Sequence, residues 1–446
     1  MKATTLGKIR AFWLGSVVCM GGFLFGYDSG IVGGVLTLSS YHDDFRYSNK
    51  HKTCVNSLSV GLQQAGAFAA YFVIWPITNR LGRKKSLMLS SAVFCVGAII
   101  QTINTHSLAA LYVGRIVTGI GLGTASVVIG SLFQWFYTFG IFTSYWIDYA
   151  MTKRVTPVTK QWQIPIGLQL VPAAMLGIGM LTLKESTRWL TKKSRHEEAW
   201  ESLKWIRADE SLVIELLEPD NFKRIFTSFA VFTAQQATGA TAFAYFGPQY
   251  FKLLVGGGDK DLLLTAIFGA IKVVACGIFV LFLSERIGRR QVLICGAAFI
   301  AACQISCAAI VKNKPAPENG NVTSSGIATV ALIYMFVIAY NLSWGPLPWP
   351  YVSEIFPTRI REPGIAVGVS SQWLVNFVFS LTTPYMIDSL GWGTFLFWGL
   401  ADTVIAIGTF FFLHETKGLS LEEIAHKNFG KASNFKDIEA EHVDVK

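Results

Sequence analysis

Apolar runs of roughly 20 residues, the length that crosses a bilayer as a helix, follow one another along nearly the whole chain. They fall near 12–37, 59–78, 86–104, 108–129, 130–150, 163–183, 223–254, 262–284, 290–311, 325–350, 362–387 and 390–413. Twelve such runs joined by polar loops predict an all-α membrane protein with twelve transmembrane helices. One run is interrupted. "WGPLPWPYVSEIFPTR" (Trp344–Arg359) carries Pro346, Pro348, Pro350 and Pro357 in an otherwise apolar stretch, with the lone acid Glu354 near its end. Proline removes a backbone donor and clashes with the preceding turn, so the tenth span is a broken helix. Between the sixth and seventh spans, Trp200, Leu203 and Ile206 share one face at helical spacing and predict an amphipathic helix over Ser194–Glu210, packed under the bundle.

Composition agrees with this picture. Of 446 residues, 52% are hydrophobic and 15% charged, with a mean hydropathy of +0.44. A soluble domain carries about 25% charged residues, so this surface faces lipid. No small-residue cleavage site follows a short apolar core at the N-terminus, so the first span is expected to stay as a signal anchor. The net charge of +10 raises nucleic-acid binding, but the basic residues sit in short loops between spans, and no nucleic-acid partner is expected. "MKATTLGKIR", "NRLGRKK" (Asn79–Lys85), "TKKSR" (Thr191–Arg195), "SERIGRR" (Ser284–Arg290) and the pair Arg359 and Arg361 all fall on one side of a twelve-span chain. The positive-inside rule makes that side cytoplasmic, with both termini there. Lys153, Arg154 and Lys160 run against the rule and are outnumbered. "NVT" (Asn321–Thr323) faces outward as a lone glycosylation sequon. The seven cysteines show no metal-ligand spacing and read as small packing residues, so no metal and no cofactor are expected.

The two halves echo each other. "NRLGRKK" after span two matches "ERIGRR" after span eight, and "SLFQW" (Ser131–Trp135) matches "SSQW" (Ser370–Trp373). Repeated six-helix halves around a midplane site are a common transporter plan. The expected division is a first six-helix bundle over 1–190, a shortened cytoplasmic helical linker over 191–221, a second bundle over 222–413 and a cytoplasmic tail over 414–446. One part of the repeat has no counterpart. The connection between spans four and five runs from Ile129 straight into Gly130, where two to eight loop residues are usual between helices.

Polar residues inside the spans are the candidate chemistry. Asp28 sits in mid-span, where an ionisable group is a functional candidate by default. Arg115 lies at a comparable depth in span four. Burial and a neighbouring cation pull a carboxyl's proton affinity in opposite senses. The pair is therefore either a proton-coupling switch or a permanent structural ion pair. Glycines Gly119, Gly121 and Gly123 follow no strand and serve close helix packing, not nucleotide binding. Gln235, Gln236, Thr238 and Gly239 form a polar break in span seven, and Tyr245 adds a hydroxyl. Gln134 in span five, Trp349 in span ten, and Gln372 and Trp373 in span eleven are of the same kind. Amides hydrogen-bond hydroxyls and indoles stack on apolar ring faces, so together they suit a polyhydroxylated, mostly uncharged ligand. Singly, each is ordinary interhelical glue. Lys272 in span eight either lines the cavity, where it suits an anionic hydroxylated ligand, or pairs with a carboxylate or snorkels.

"FGYDSG", "NRLGRKK", "KESTRWL" (Lys184–Leu190), "QQATG", "ERIGRR", "GPLPWPYVSEIFPTRIR", "QWLVNF" and "HETKGLSLEE" (His414–Glu423) stand in one order along nearly the whole chain. In that order the chain resembles the sugar porter family of the major facilitator superfamily, in particular the fungal sugar and quinate permeases. The resemblance implies two pseudo-symmetric six-helix bundles, the major facilitator fold, in a monomeric plasma-membrane carrier whose partners are a sugar or polyol, a proton and the bilayer. It implies alternating-access sugar transport by proton symport, with transport of quinate or another hydroxylated acid, or uniport, as the alternative. It matches Asp28 to the proton-linked aspartate, and Gln134, Gln235, Gln236, Tyr245, Trp349, Gln372 and Trp373 to sugar-contacting positions. Thr241 and Lys272 occupy two positions where sugar-binding members keep asparagine. Arg83, Glu285, Arg289 and Glu354 match a cytoplasmic charge network that locks the outward-open state. Departures include Asn79 for aspartate and Lys184, Thr187 and His414 for prolines. The loop bearing a glutamate and an arginine is missing between Ile129 and Gly130, which predicts impaired transport by this chain. A non-transporting sensor needs a long signalling tail, and an enzyme needs a nucleophile–base pair, metal cluster or phosphate loop; the sequence offers neither.

Overall fold

The computed structural model describes residues 5–81, 83–103, 106–125, 131–156, 158–183, 219–255, 259–284, 286–315, 323–356 and 361–418. Among these, every regular element is helical. The first half contains α1 (Thr5–Val35), the short α2 (Ser39–Phe45), α3 (Lys52–Leu81), α4 (Arg83–Thr102), α5 (Leu108–Ala125) and α6 (Ser131–Arg154). Its sixth crossing is divided at Gln169 into α7 (Lys160–Leu168) and α8 (Leu170–Thr182). The second half opens with a divided crossing, α9 (Pro219–Ala237) and α10 (Ala240–Val255). It continues with α11 (Asp259–Ile278), prolonged by a π-helical turn over Phe279–Leu283, and α12 (Arg289–Asn313). The tenth crossing is α13 (Ser324–Leu342) and α14 (Pro348–Ile355), followed by α15 (Arg361–Leu390) and α16 (Trp392–Phe412).

Twelve crossings therefore stand in the expected order. Among the described residues, eight helical stretches are long and apolar enough to cross a membrane by length and composition, and Leu108–Gly123 is a shorter apolar helix. The crossings outside that set are α3, α6 and the α9–α10 pair. Their apolar character is diluted by Gln63 and Gln64, by Gln134 and Asp148, and by Gln235 and Gln236. These helices supply part of the polar centre described below.

Packing runs on small residues, because lipid gives helices no hydrophobic drive toward one another and close backbone approach is what remains. A Cβ at Gly26 of α1 would stand 1.9 Å from the Tyr137 carbonyl oxygen of α6, and one at Gly140 would stand 2.1 Å from the Phe23 carbonyl oxygen. Trp13 Nε1 donates to Thr182 Oγ1 (2.9 Å) and Lys84 Nζ to the Leu183 carbonyl (2.5 Å), which gathers the starts of α1 and α4 and the end of α8 on one face. At the opposite face, Asp44 accepts from Trp162 Nε1 (2.7 Å) and Thr159 Oγ1 (3.2 Å). The halves meet along α3 and α15, where Ser57 Oγ donates to the Leu381 carbonyl (2.9 Å), and along α6 and α11, where Trp135 Nε1 donates to the Val273 carbonyl (3.2 Å). Between them α1 presses on α10, with Gly33 against the Tyr245 backbone.

The tenth crossing departs from its expected end at position 350. Pro348 stands in the first turn of α14, where the missing N–H has no intrahelical partner to lose, so it starts a helix that runs to Ile355. The gap between α13 and α14 exposes the carbonyls of Trp344 and Gly345, and Gln235 Nε2 donates to both, at 2.9 and 3.0 Å. Irregular backbone at membrane depth survives only where protein groups satisfy it. The Ser194–Glu210 helix, the 126–130 connection, Asn321, Glu285 and the tail beyond 418 lie outside the described residues.

Candidate substrate and proton site

Asp28 is wholly buried on α1, and Arg115 on α5 is 2% exposed. Arg115 Nη1 stands 3.0 Å from Asp28 Oδ1. Gln63 of α3 completes the group: its amide nitrogen donates to Asp28 Oδ2, and its Oε1 accepts from Arg115 Nη1 at 2.8 Å. The expected pair is thus a triad across three helices. Gln63 escaped the sequence reading, although "LQQAG" in span two repeats the amide doublet of "QQATG" in span seven.

The amides and indoles expected to contact a solute lie within the bundle. Gln235 Oε1, Gln236 Oε1, Trp349 Nε1, Gln372 Oε1 and Trp373 Nε1 are all buried and, among the described residues, have no hydrogen-bond partner. Gln235 corrects one detail, because its nitrogen is already committed to the break in the tenth crossing and only its oxygen is open. Trp349 meets Phe232 edge-on, with ring centroids 4.7 Å apart. A chain of rings links the halves: Trp373 to Phe25 at 5.1 Å, then Phe25 to Tyr137 at 4.8 Å. Lys272 Nζ lies 5.7 Å from the Tyr137 ring centroid and 5.7 Å from that of Phe268. Lys272 is 2% exposed, which rules out snorkelling, and among the described residues it forms no ion pair. Gln134 is buried on the first turn of α6, and Thr241 is half-buried on the first turn of α10.

Tyr245 is tied to both halves. Its hydroxyl accepts from Gln64 Nε2 at 2.8 Å and from Asn376 Nδ2 at 3.2 Å, and Asn376 Nδ2 also reaches Gln64 Oε1 at 3.2 Å. Gln64 and Asn376 were not singled out from the sequence. The signal for Asn376 was its place in "QWLVNF", and for Gln64 the same span-two doublet.

Of the expected charge network, Arg289 and Glu354 do meet, Nη2 to Oε1 at 3.4 Å. The side chain of Arg83, and all of Glu285, lie outside the described residues. Glu354 also accepts from Thr416 Oγ1 (2.7 Å). Glu415 adds a partner the sequence reading passed over: its carboxylate accepts from the backbone N–H of Arg289 (2.8 Å) and of Arg290 (3.1 Å), capping the start of α12. A carboxylate there satisfies orphan donors and opposes the positive end of the helix dipole.

Residues 14–427 match the family model described as sugar (and other) transporter. The probable quinate permease of Aspergillus clavatus is 32% identical over 469 residues, covering 93% of this chain and 87% of its own length. The quinate permease of Emericella nidulans is 31% identical, covering 93% and 88%. Among solved structures, the proton:xylose symporter XylE bound to 6-bromo-6-deoxy-D-glucose superposes with a TM-score of 0.76 at 23% identity, over 94% of this chain and 99% of that one. The inward-open form of the xylose transporter XylE from E. coli gives 0.73 at 23% identity, over 93% and 98%. The helix order, the two halves and the broken crossings are thus those of the major facilitator fold. The chain belongs to the sugar (and other) transporter family, and it is a multi-pass membrane transporter, not an enzyme.

Proposed function

We propose that this protein carries a hexose-like, polyhydroxylated solute by alternating access, as a proton symporter with Asp28 and Arg115 as the coupling pair and Gln63 as their bridge. The observation that carries this reading is the set of buried open polar atoms, Gln235 Oε1, Gln236 Oε1, Trp349 Nε1, Gln372 Oε1 and Trp373 Nε1. Buried polar groups are nearly always hydrogen-bonded. Acceptors and donors left open beside aromatic rings in a lipid-embedded bundle match a hydroxylated ring that arrives with both faces and edges. Gln134, Thr241 and Tyr245 belong to the same site, and Arg289 with Glu354 to its cytoplasmic gate, alongside Arg83 and Glu285.

A hydroxylated acid such as quinate is the second reading. It is favoured by Lys272, a buried cation lying against the Tyr137 and Phe268 rings, and by the names of the fungal relatives. The test is uptake of labelled sugars and quinate in a transporter-null cell, and in vesicles with and without a pH gradient. Asp28→Asn abolishes accumulation against a gradient in a symporter; if accumulation survives, the coupling role is wrong, and if the pH gradient is without effect the protein is a uniporter.

We place both termini in the cytoplasm of a plasma-membrane protein that acts as a monomer, with the bundle and linker boundaries expected from the sequence. Transport by this chain is weak, because the connection between α5 and α6 lacks its charged loop. Support comes from the alignment to the Aspergillus clavatus relative, which spans 469 positions while using 93% of this 446-residue chain. The relative therefore has positions with no counterpart here. Sequencing the transcript across codons 129 and 130 tests the gap, and robust uptake by the present chain refutes the impairment.

A further inference from the structure

Asp402 stands midway along α16, wholly buried, and takes no part in the site above. Among the described residues, neither of its carboxylate oxygens has a hydrogen-bond partner and no cation pairs with it. A carboxylate ion buried at membrane depth without a cation is among the costliest arrangements a protein can hold, whereas a neutral acid there needs only an acceptor for its proton. That acceptor is at hand. Helix α16 packs on α12 so closely that a Cβ at Gly399, one turn before Asp402, would stand 3.3 Å from Gln304 Cβ. The Asp402 side chain adjoins the Gln304 amide.

Gln304 is itself half satisfied. Its Nε2 donates to the Thr238 carbonyl at 3.2 Å, while its buried Oε1 has no partner among the described residues. One proton on Asp402, donated to that oxygen, pairs both groups at once. Thr238 begins the break between α9 and α10, and its hydroxyl donates to the Gln235 carbonyl at 2.8 Å. The next residue, Gly239, has a φ of +76°, and Trp398, on the same helix as Asp402, closes over it. Gln304 therefore connects Asp402 to the hinge that aims Gln235 and Gln236.

We propose that Asp402 is a second proton-binding carboxyl, and that its proton decides which way round the Gln304 amide sits and so whether the α9–α10 hinge is latched. With the proton on, Gln304 Oε1 accepts from Asp402 and Nε2 holds the Thr238 carbonyl. With the proton off, the carboxylate only accepts, so it competes with the Thr238 carbonyl for the amide N–H groups and the hold on that carbonyl weakens. Of the titratable groups nearby, Tyr340 of α13 interacts with Asp402, Tyr250 of α10 accepts from Trp398 Nε1 at 3.0 Å one turn earlier on α16, and Cys303 precedes Gln304 on α12. None of them supplies a positive charge. The protonation itself stands independently of the cargo; its bearing on transport rests on the reading that Gln235 and Gln236 face the solute.

Infrared difference spectra of the whole purified protein in lipid nanodiscs, taken without solute between acidic and alkaline buffers, test this. The expected result is a carbonyl-stretch band of a buried neutral carboxyl that is lost in Asp402→Asn and survives in Asp28→Asn. In Gln304→Met, which keeps Asp402 but removes its acceptor, the band shifts to higher frequency. A spectrum unchanged by Asp402→Asn, or a band unmoved in Gln304→Met, overturns the assignment, and the Gln304 variant decides the matter if Asp402→Asn does not fold. No solute is present, so failure of the transport reading leaves this result untouched.

Discussion

At Asp28 one carboxylate is shared between a cation and a neutral amide, Arg115 on one oxygen and Gln63 on the other. The amide links the charges to each other, since Gln63 also accepts from Arg115. Removing it by Gln63→Leu leaves a buried Asp28 oxygen short of a donor, a loss of about 1–3 kcal/mol. Thermal unfolding of the purified protein in detergent measures it, and an unchanged midpoint means Gln63 is only filler. Lys272 poses the opposite case, a cation with ring faces for company. Replacing an isolated buried charge with an apolar chain of similar volume is neutral or stabilising for the fold. Lys272→Met is therefore expected to keep or raise the unfolding midpoint. If Lys272 holds a solute carboxylate, the same change weakens binding of hydroxylated acids by about 2–5 kcal/mol and leaves neutral sugars unaffected. Equal loss for acids and sugars removes the carboxylate role.

Elements are held at two kinds of joint, close glycine crossings and repaired breaks. At the α1–α6 crossing the obstacle to a larger residue is backbone, 1.9 Å from a Cβ at Gly26. Gly26→Ala must push two helices apart, and overpacking of this kind costs about 1–3 kcal/mol. Gly15, on the same helix, has nothing within 4 Å of its Cβ, so Gly15→Ala gains about 0.5–1 kcal/mol from helix propensity. Midpoints moving in opposite directions verify the contrast; a shared direction refutes it. The break between α13 and α14 depends on Gln235 Nε2. Gln235→Leu frees two buried carbonyls, at about 1–3 kcal/mol for each group left unsatisfied. Hydrogen exchange localised to 343–347 reports this, with faster exchange expected there than in α16.

Across the whole molecule, the proposed gate at the face bearing Arg289 shows, among the described residues, one partly buried ion pair reinforced by Thr416 and Glu415. Such pairs contribute about 0–1 kcal/mol, enough to bias a two-state carrier but not to hold it shut. Glu354→Gln is expected to shift accessibility of a single-cysteine probe in the central site by about fivefold or less, with the protein still folded. A shift of several orders of magnitude means the gate has further members.

The twelve lipid-embedded rods were legible because the bilayer imposes a local rule. Each crossing needs about 20 apolar residues and must satisfy its own backbone, so Trp392–Phe412 or Arg289–Asn313 can be read without knowing any neighbour. The polar interruptions Asp28, Arg115, Gln235 and Lys272 were legible for the same reason, as exceptions to that rule. Only the tertiary structure decided who meets whom. Gln64 and Asn376 are 312 positions apart, and Gln63 reaches Asp28 while its neighbour Gln64 turns toward Tyr245. Which face of a helix points inward depends on how every other helix is rotated against it, and no stretch of sequence contains that information alone.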